Sequence, residues 1–318
     1  MRNRPGSGPV GTGSGSGPRR PRVRKPLQTG RGVANGGSGP ATSNRLAPIE
    51  LMKRFVVIPA YKAAATVASV IDRLPGELWS DGGQAVIVND GSPDDTGRVI
   101  DGLAKQHAGR VVAVHHEKNR GYGGALKTGL AYAVEKGGEV MPVVHSDGQY
   151  APELVLRLCQ PIEAGLTGIV QGSRMRGGAR SGEHPMPLSR YLPNRVLTCL
   201  ENLTFGTSLA EFHSGYMVFS KSLLERVPYR ALQNNYNFDA EMILLAHLAG
   251  VRTLEVPIPT RYDGETSSLN PIPYGLNVLK MMWRYTTGHY LRLLDLHEAR
   301  QAEGGGKAVP AELRAVEG

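Results

Sequence analysis

The chain has 318 residues, 40% of them hydrophobic, and a net charge of +9. That length supplies one large α/β domain or two small ones. No apolar run reaches the ~18 residues that a transmembrane helix needs, and the Gly-rich N-terminus lacks the apolar core of a secretion signal. The charge is uneven. Residues 1–50 hold nine Lys/Arg and one acid, a net of +8, whereas the other 268 residues hold 28 Lys/Arg and 27 acids. The basic stretch is rich in Gly, Ser, Pro and Arg and reads as a disordered tail. The rest is almost neutral and has no RNA-binding signature, which excludes nucleic acid as its partner. Cys159 and Cys199 read as two reduced, mostly buried thiols of a cytoplasmic protein.

From Arg54 onward the elements alternate. "RFVVIPA" is a short apolar run ended by a proline, as in a buried parallel strand. "TVASVIDRL" has apolar residues at helical spacing. "AVIVNDGSPDD" is a second strand, after which Ser92 or Asp94 caps a helix. "RVVAVHH" is a third strand. "NRGYGGALKTGLAYAVEKG" is a Gly-rich loop opening a helix that stops at Gly137 or Gly138. "EVMPVVHSD" is a fourth strand, and "APELVLRLCQPI" a helix with Pro152 in its first turn. The second half is less regular. "GIVQGSRM" reads as a strand, "YLPNRVLTCLENLTFG" as a helix, and "SGYMVFSKSLLERV" as a strand followed by a capped helix. "NFDAEMILLAHLAG" is a helix, "VRTLEVPIPTRY" a strand, and "YGLNVLKMMWRYTTGHYLRLLDL" one long amphipathic helix, with a flexible end over 301–318.

This alternation predicts a mostly parallel sheet with helices on both faces. Ligands of such sheets bind beyond the carboxyl ends of the strands. The polar residues there are Tyr61, Asn89, Asp90, His145 and Asp147.

Eight segments occur in one order: "VVIPAYKAAATV", "VNDGSPDDT", "NRGYGGALKTGL", "HSDGQYAPE", "GSRMRGG", "SGYMVFSKSLL", "FDAEMILLA" and "EVPIPTRYDGETSS". Together they resemble glycosyltransferase family 2, on the nucleotide-sugar-binding GT-A fold, and within it the dolichyl-phosphate mannosyltransferase-like enzymes. The resemblance implies one GT-A domain over about 51–300. It implies a UDP- or GDP-sugar donor and transfer, with inversion, to a polyprenyl phosphate, a glycan or a small metabolite. Pro59, Ala60, Tyr61, Asn89, Asp90, Ser146 and Arg174 then form the donor site, with Asp90 accepting a base N–H and Tyr61 packing on base or sugar.

The family presents Asp-X-Asp at the end of the fourth strand, and this chain has His145-Ser146-Asp147, then Gln149. Asp147, Gln149 and His145 are therefore the expected ligands of Mn²⁺ or Mg²⁺. Such ions bind through one carboxylate plus substrate phosphates, and the imidazole shifts preference towards Mn²⁺. Asp239, with Glu241 as second choice, is the expected base for a hydroxyl acceptor; a lipid-phosphate acceptor needs none. Arg174 and Arg261 are the expected acceptor-phosphate contacts, although the lysine that follows Gly-X-Ser in the mannosyltransferases is missing. The C-terminal helix, with Leu276, Leu279 and Trp283, reads as core-packed, with a peripheral membrane face as the alternative. A nucleotidyltransferase on the same fold is the other reading, and it lacks its Gly-rich signature after the first strand.

Overall fold

The computed structural model describes residues 52–80, 82–180, 185–259 and 271–303. The basic tail, Arg261 and residues 304–318 lie outside them. Among the described residues seven strands join into one sheet: β1 (Phe55–Ala60), β2 (Gln84–Asn89), β3 (Val111–His115), β4 (Val140–Pro142), β5 (Ile169–Ser173), β6 (Met217–Ser220) and β7 (Leu254–Pro257). Their order is β3-β2-β1-β4-β6-β5-β7. The β1–β4 junction is a parallel bridge at Val57 and Val143, with Val144 N–H donating to Val57 O at 3.0 Å. Only β6 runs antiparallel to its neighbours. The sheet is thus mostly parallel, as the alternation predicts.

The central strand β1 is apolar throughout because both of its faces are covered. Phe55 and Val57 of β1 enter one core, and Val56 and Ile58 enter the other. Helices α1 (Val67–Asp72), α2 (Thr96–Gln106) and α4 (Val155–Glu163) cover the second face, and α3 (Tyr122–Glu135) and α7 (Phe238–Leu248) the first. Helix α7 is apolar beyond its first turn except for His247, and all its residues but His247 are buried, the pattern of a central helix. Burying each of Leu244, Leu245 and Leu248 contributes about 1.5–3 kcal/mol. Neither Ser92 nor Asp94 is the N-cap of α2: that residue is Asp95, which makes no side-chain cap bond, and Asp94 braces the turn before it, its Oδ1 accepting from the Thr96 hydroxyl at 2.6 Å and the Thr96 N–H at 3.2 Å. Ser220 caps α6 (Lys221–Arg226) through the Leu223 N–H.

Three expectations change. The long C-terminal helix is two helices, α8 (Pro271–Thr286) and α9 (His289–Ala302), because Gly288 takes φ +74° between them. Cys199 is exposed on α5 (Leu188–Phe205), while Cys159 is buried. Leu276, Leu279 and Trp283 point outward, and Val278, Met281 and Tyr285 are the buried face of α8. No helix among the described residues is long and apolar enough to cross a membrane.

Candidate active site

A cavity of about 1380 Å³ opens at the carboxyl ends of β1, β2 and β4. A small-ligand site measures ~300–1,000 Å³, so this one has room for two substrates. Its lining includes Pro59, Ala60, Tyr61, Lys62 and Asp90 from the ends of β1 and β2, and His145, Ser146, Asp147 and Gln149 after β4. The second half of the chain adds Arg174, Arg190, Tyr236, Asp239 and Tyr274. Ten of the expected residues therefore meet in one cavity.

The Gly-rich loop is built by Asp90. Its Oδ1 accepts from the Arg120 N–H at 2.8 Å and faces His116 Nδ1 at 2.7 Å, and its Oδ2 accepts from the Gly121 N–H at 2.9 Å. Of the four lone-pair positions of the carboxylate, one remains on Oδ2. That single position is all Asp90 can offer a base N–H. Asn89 is absent from the cavity lining. Its amide braces the turn instead, accepting from the Ser92 N–H and donating to His115 Nδ1. The glycines approach protein rather than ligand. A Cβ on Gly121, at φ +86°, would lie 2.4 Å from Asn234 O, and one on Gly123 would lie 2.6 Å from Gln233 O. The loop after Leu232 is held there by Lys127, whose ammonium donates to Leu232 O and, at 2.7 Å, to Asn234 Oδ1.

Tyr122 is the centre of the site, and the sequence reading missed it. Its hydroxyl donates to Asp239 Oδ2 at 2.8 Å and lies 3.1 Å from His145 Nε2. A phenol has one proton. With that proton given to Asp239, the phenol oxygen keeps a lone pair facing His145 Nε2. Burial lowers the His145 pKa, which favours the neutral ring. The oxygen donors beside it are Asp147 and Gln149, both exposed. They fit a hard divalent ion whose remaining ligands are substrate phosphates and water. Among the described residues no cluster of three His, Cys, Asp or Glu could hold a metal alone.

Asp239 sits in the first turn of α7 and is 5% exposed. Desolvation pushes its pKa up to about 8, against a smaller lowering by the Tyr122 hydrogen bond. Its Oδ1 has no protein partner. Glu241 has a different task. Its Oε2 accepts from the Gln233 N–H at 2.9 Å, and its Oε1 accepts from Tyr290 at 2.7 Å and from the Gln233 amide at 3.0 Å. It pins the 233–236 loop to α9 and lies outside the cavity, so it is no candidate base. Arg174 is already paired, with Nη2 2.8 Å from Glu211 Oε2 and 2.7 Å from His213 O. Arg176 pairs with Glu255 outside the cavity.

Lys62 is the one non-glycine residue among the described ones at positive φ, +53°. Its ammonium lies 5.4 Å from the Tyr61 ring centroid. Strain of this kind gathers at ligand sites, and no sequence periodicity signals it.

Residues 55–227 match the profile described as glycosyl transferase family 2, more than half of the chain. The chain belongs to glycosyl transferase family 2. It is 29% identical over 219 residues to the UDP-N-acetylglucosamine–dolichyl-phosphate N-acetylglucosaminyltransferase of Methanococcus voltae, covering 65% of this chain and 85% of that one. It is 25% identical over 207 residues to the polyprenol monophosphomannose synthase of Mycolicibacterium smegmatis, covering 65% and 76%. Glucosyl-3-phosphoglycerate synthase from Mycobacterium tuberculosis, solved with Mn²⁺, UDP and phosphoglyceric acid, shares the fold with a TM-score of 0.54 at 19% identity, covering 74% and 78%. The protein is a glycosyltransferase on the GT-A fold.

Proposed function

We propose that the protein transfers a hexosyl or N-acetylhexosaminyl group from a UDP-sugar to a polyprenyl phosphate. The observation that carries this reading is the grouping of strand-end and second-half residues in one cavity. Tyr61, Asp90 and Asp147 share it with Arg190 and with Asp239, whose Oδ1 has no protein partner. Two relatives, one named for dolichyl phosphate and one for polyprenol monophosphomannose, support a lipid phosphate.

In this reading the acceptor phosphate oxygen attacks the anomeric carbon from the face opposite the diphosphate. The bond from that carbon to the diphosphate oxygen breaks, and the configuration inverts. A divalent cation, Mn²⁺ or Mg²⁺, supplies Lewis-acid neutralisation of the departing diphosphate, and Asp147 with Gln149 would hold it. The nucleophile is already anionic, so no base is required. A pKa of about 8 keeps Asp239 protonated at neutral pH. Tyr122 occupies Oδ2, which leaves Oδ1 to carry the proton and donate to a phosphate oxygen. An ionised carboxylate there would repel the same phosphate. Arg190, which lines the same cavity, adds positive charge.

Base catalysis towards a hydroxyl acceptor is the second reading, favoured by the same unpartnered Oδ1. The pH profile separates the two. A neutral donor loses rate as pH rises through about 8, and a base gains it.

A further inference from the structure

Helix α5 has an inverted surface. The residues it buries are Thr198, Glu201 and Phe205, while Leu192, Val196 and Leu203 are exposed by 56%, 59% and 66%. These three lie on one side of the helix, at spacings of four and seven. A helix packed on a core turns its polar side outward, and α5 does the reverse. Helix α8 lies against it: Tyr285 donates to Phe205 O at 3.3 Å, and the two rings meet edge to face at 5.0 Å. It adds Leu276, Leu279 and Trp283, exposed by 62%, 50% and 65%. Single exposed leucines need no explanation, but six large apolar side chains exposed on two packed helices mark an interaction surface.

The charges on this face select its partner. The exposed ionic residues of α5 and α8 include Arg190, Arg195 and Lys280, and neither helix exposes an acid, since Glu201 is fully buried. A two-fold interface with a second copy would set these cations against their own images with no carboxylate between them. An anionic bilayer surface complements them: apolar side chains enter the headgroup boundary, a tryptophan sits at the interface, and cations meet lipid phosphates. The face also adjoins the cavity, because Arg190 near the start of α5 and Tyr274 near the start of α8 line it.

We infer that α5 and α8 form a platform that docks on an anionic lipid bilayer and sets the cavity mouth at its surface. This deepens the lipid-acceptor reading and rests on it for its purpose, although docking is measured separately. The test uses the full chain and the double variant Leu192→Ser/Trp283→Ser. Both proteins keep the basic tail, so any difference between them reads the α5–α8 face. Flotation is measured with vesicles of equal parts phosphatidylglycerol and phosphatidylcholine. Tryptophan emission is read alongside, Trp79 being the only other tryptophan. Near-ultraviolet circular dichroism matching the parent shows that the variant is folded.

The parent is expected to float with a blue-shifted emission, and the variant to bind roughly tenfold more weakly or less, without the shift. Equal flotation of the two, or an unshifted parent, overturns the proposal. So does a concentration-dependent dimer that the variant loses, since the face would then be a contact between copies. Transfer to detergent-dispersed polyprenyl phosphate, assayed in parallel, separates the two claims. Transfer without flotation removes the platform and keeps the acceptor. Flotation without transfer removes the acceptor and keeps the platform.

Discussion

The Tyr122 hydroxyl donates to Asp239 Oδ2 at 2.8 Å, tying the first turn of α3 to the first turn of α7 across the cavity wall. That bond orients the carboxyl and leaves Oδ1 for substrate. In the folded protein Asp239 holds its proton to about pH 8, far above its ordinary 3.8.

The first consequence is a pH dependence of rate. Saturated turnover with a polyprenyl phosphate falls as pH rises through about 8, as Asp239 ionises beside the acceptor. Asp239→Asn keeps a donor at this position, retains turnover within about tenfold, and loses the alkaline limb. A kcat profile from pH 6 to pH 10 (a range of roughly four decades around neutral values) checks this. A rate that climbs through pH 8 and drops ~10²–10⁴-fold in the variant identifies a base instead.

The same shift acts on stability. Because the folded pKa is raised, the folded state binds more protons than the unfolded state between about 3.8 and about 8. Stability from this group is fully present below that window and is lost as pH rises through it. Asp239→Asn should therefore gain Tm relative to the parent as pH increases, with the gain level above about pH 8. Thermal melts in EDTA across pH read this directly.

Tyr122→Phe removes the bond that lowers the Asp239 pKa. The alkaline limb should move to higher pH, and the protein should lose about 1–3 kcal/mol from the unpaired groups it leaves. An unmoved limb means that Tyr122 does not set the carboxyl.

Lys62 pays for its backbone geometry. At φ +53° a side chain costs about 1–2 kcal/mol over glycine. Lys62→Gly should raise stability by about 1 kcal/mol and weaken UDP binding, seen by calorimetry. Unchanged UDP affinity would remove Lys62 from the donor site.

Sequence periodicity is enough to place the sheet, because β1, β2 and β4 are continuous apolar runs that only a two-sided core can bury. The polar residues at their ends were also legible, since Tyr61, Asp90 and Asp147 follow those runs directly. What each does was less so. Asp90 and Asn89 look alike in a motif, yet Asp90 organises the 119–121 loop and Asn89 braces a turn. Asp239 and Glu241 are two positions apart, and only tertiary partners separate an open carboxyl from one closed by Gln233 and Tyr290. Tyr122 hid inside a run read for its glycines. Its role depends on His145 and Asp239, 23 and 117 positions away. The break at Gly288 was hidden because one apolar period runs through both helices.

The central claim is the acceptor. The most direct measurement incubates the protein, Mn²⁺ and a panel of UDP-sugars with a polyprenyl phosphate or with the matching polyprenol, beside Asp147→Ala. The account predicts a glycosylated lipid phosphate from one donor, none from the alcohol, and a loss of ~10²-fold or more in the variant, the several kcal/mol that a metal supplies. Transfer to the alcohol, or equal transfer by the variant, would contradict it.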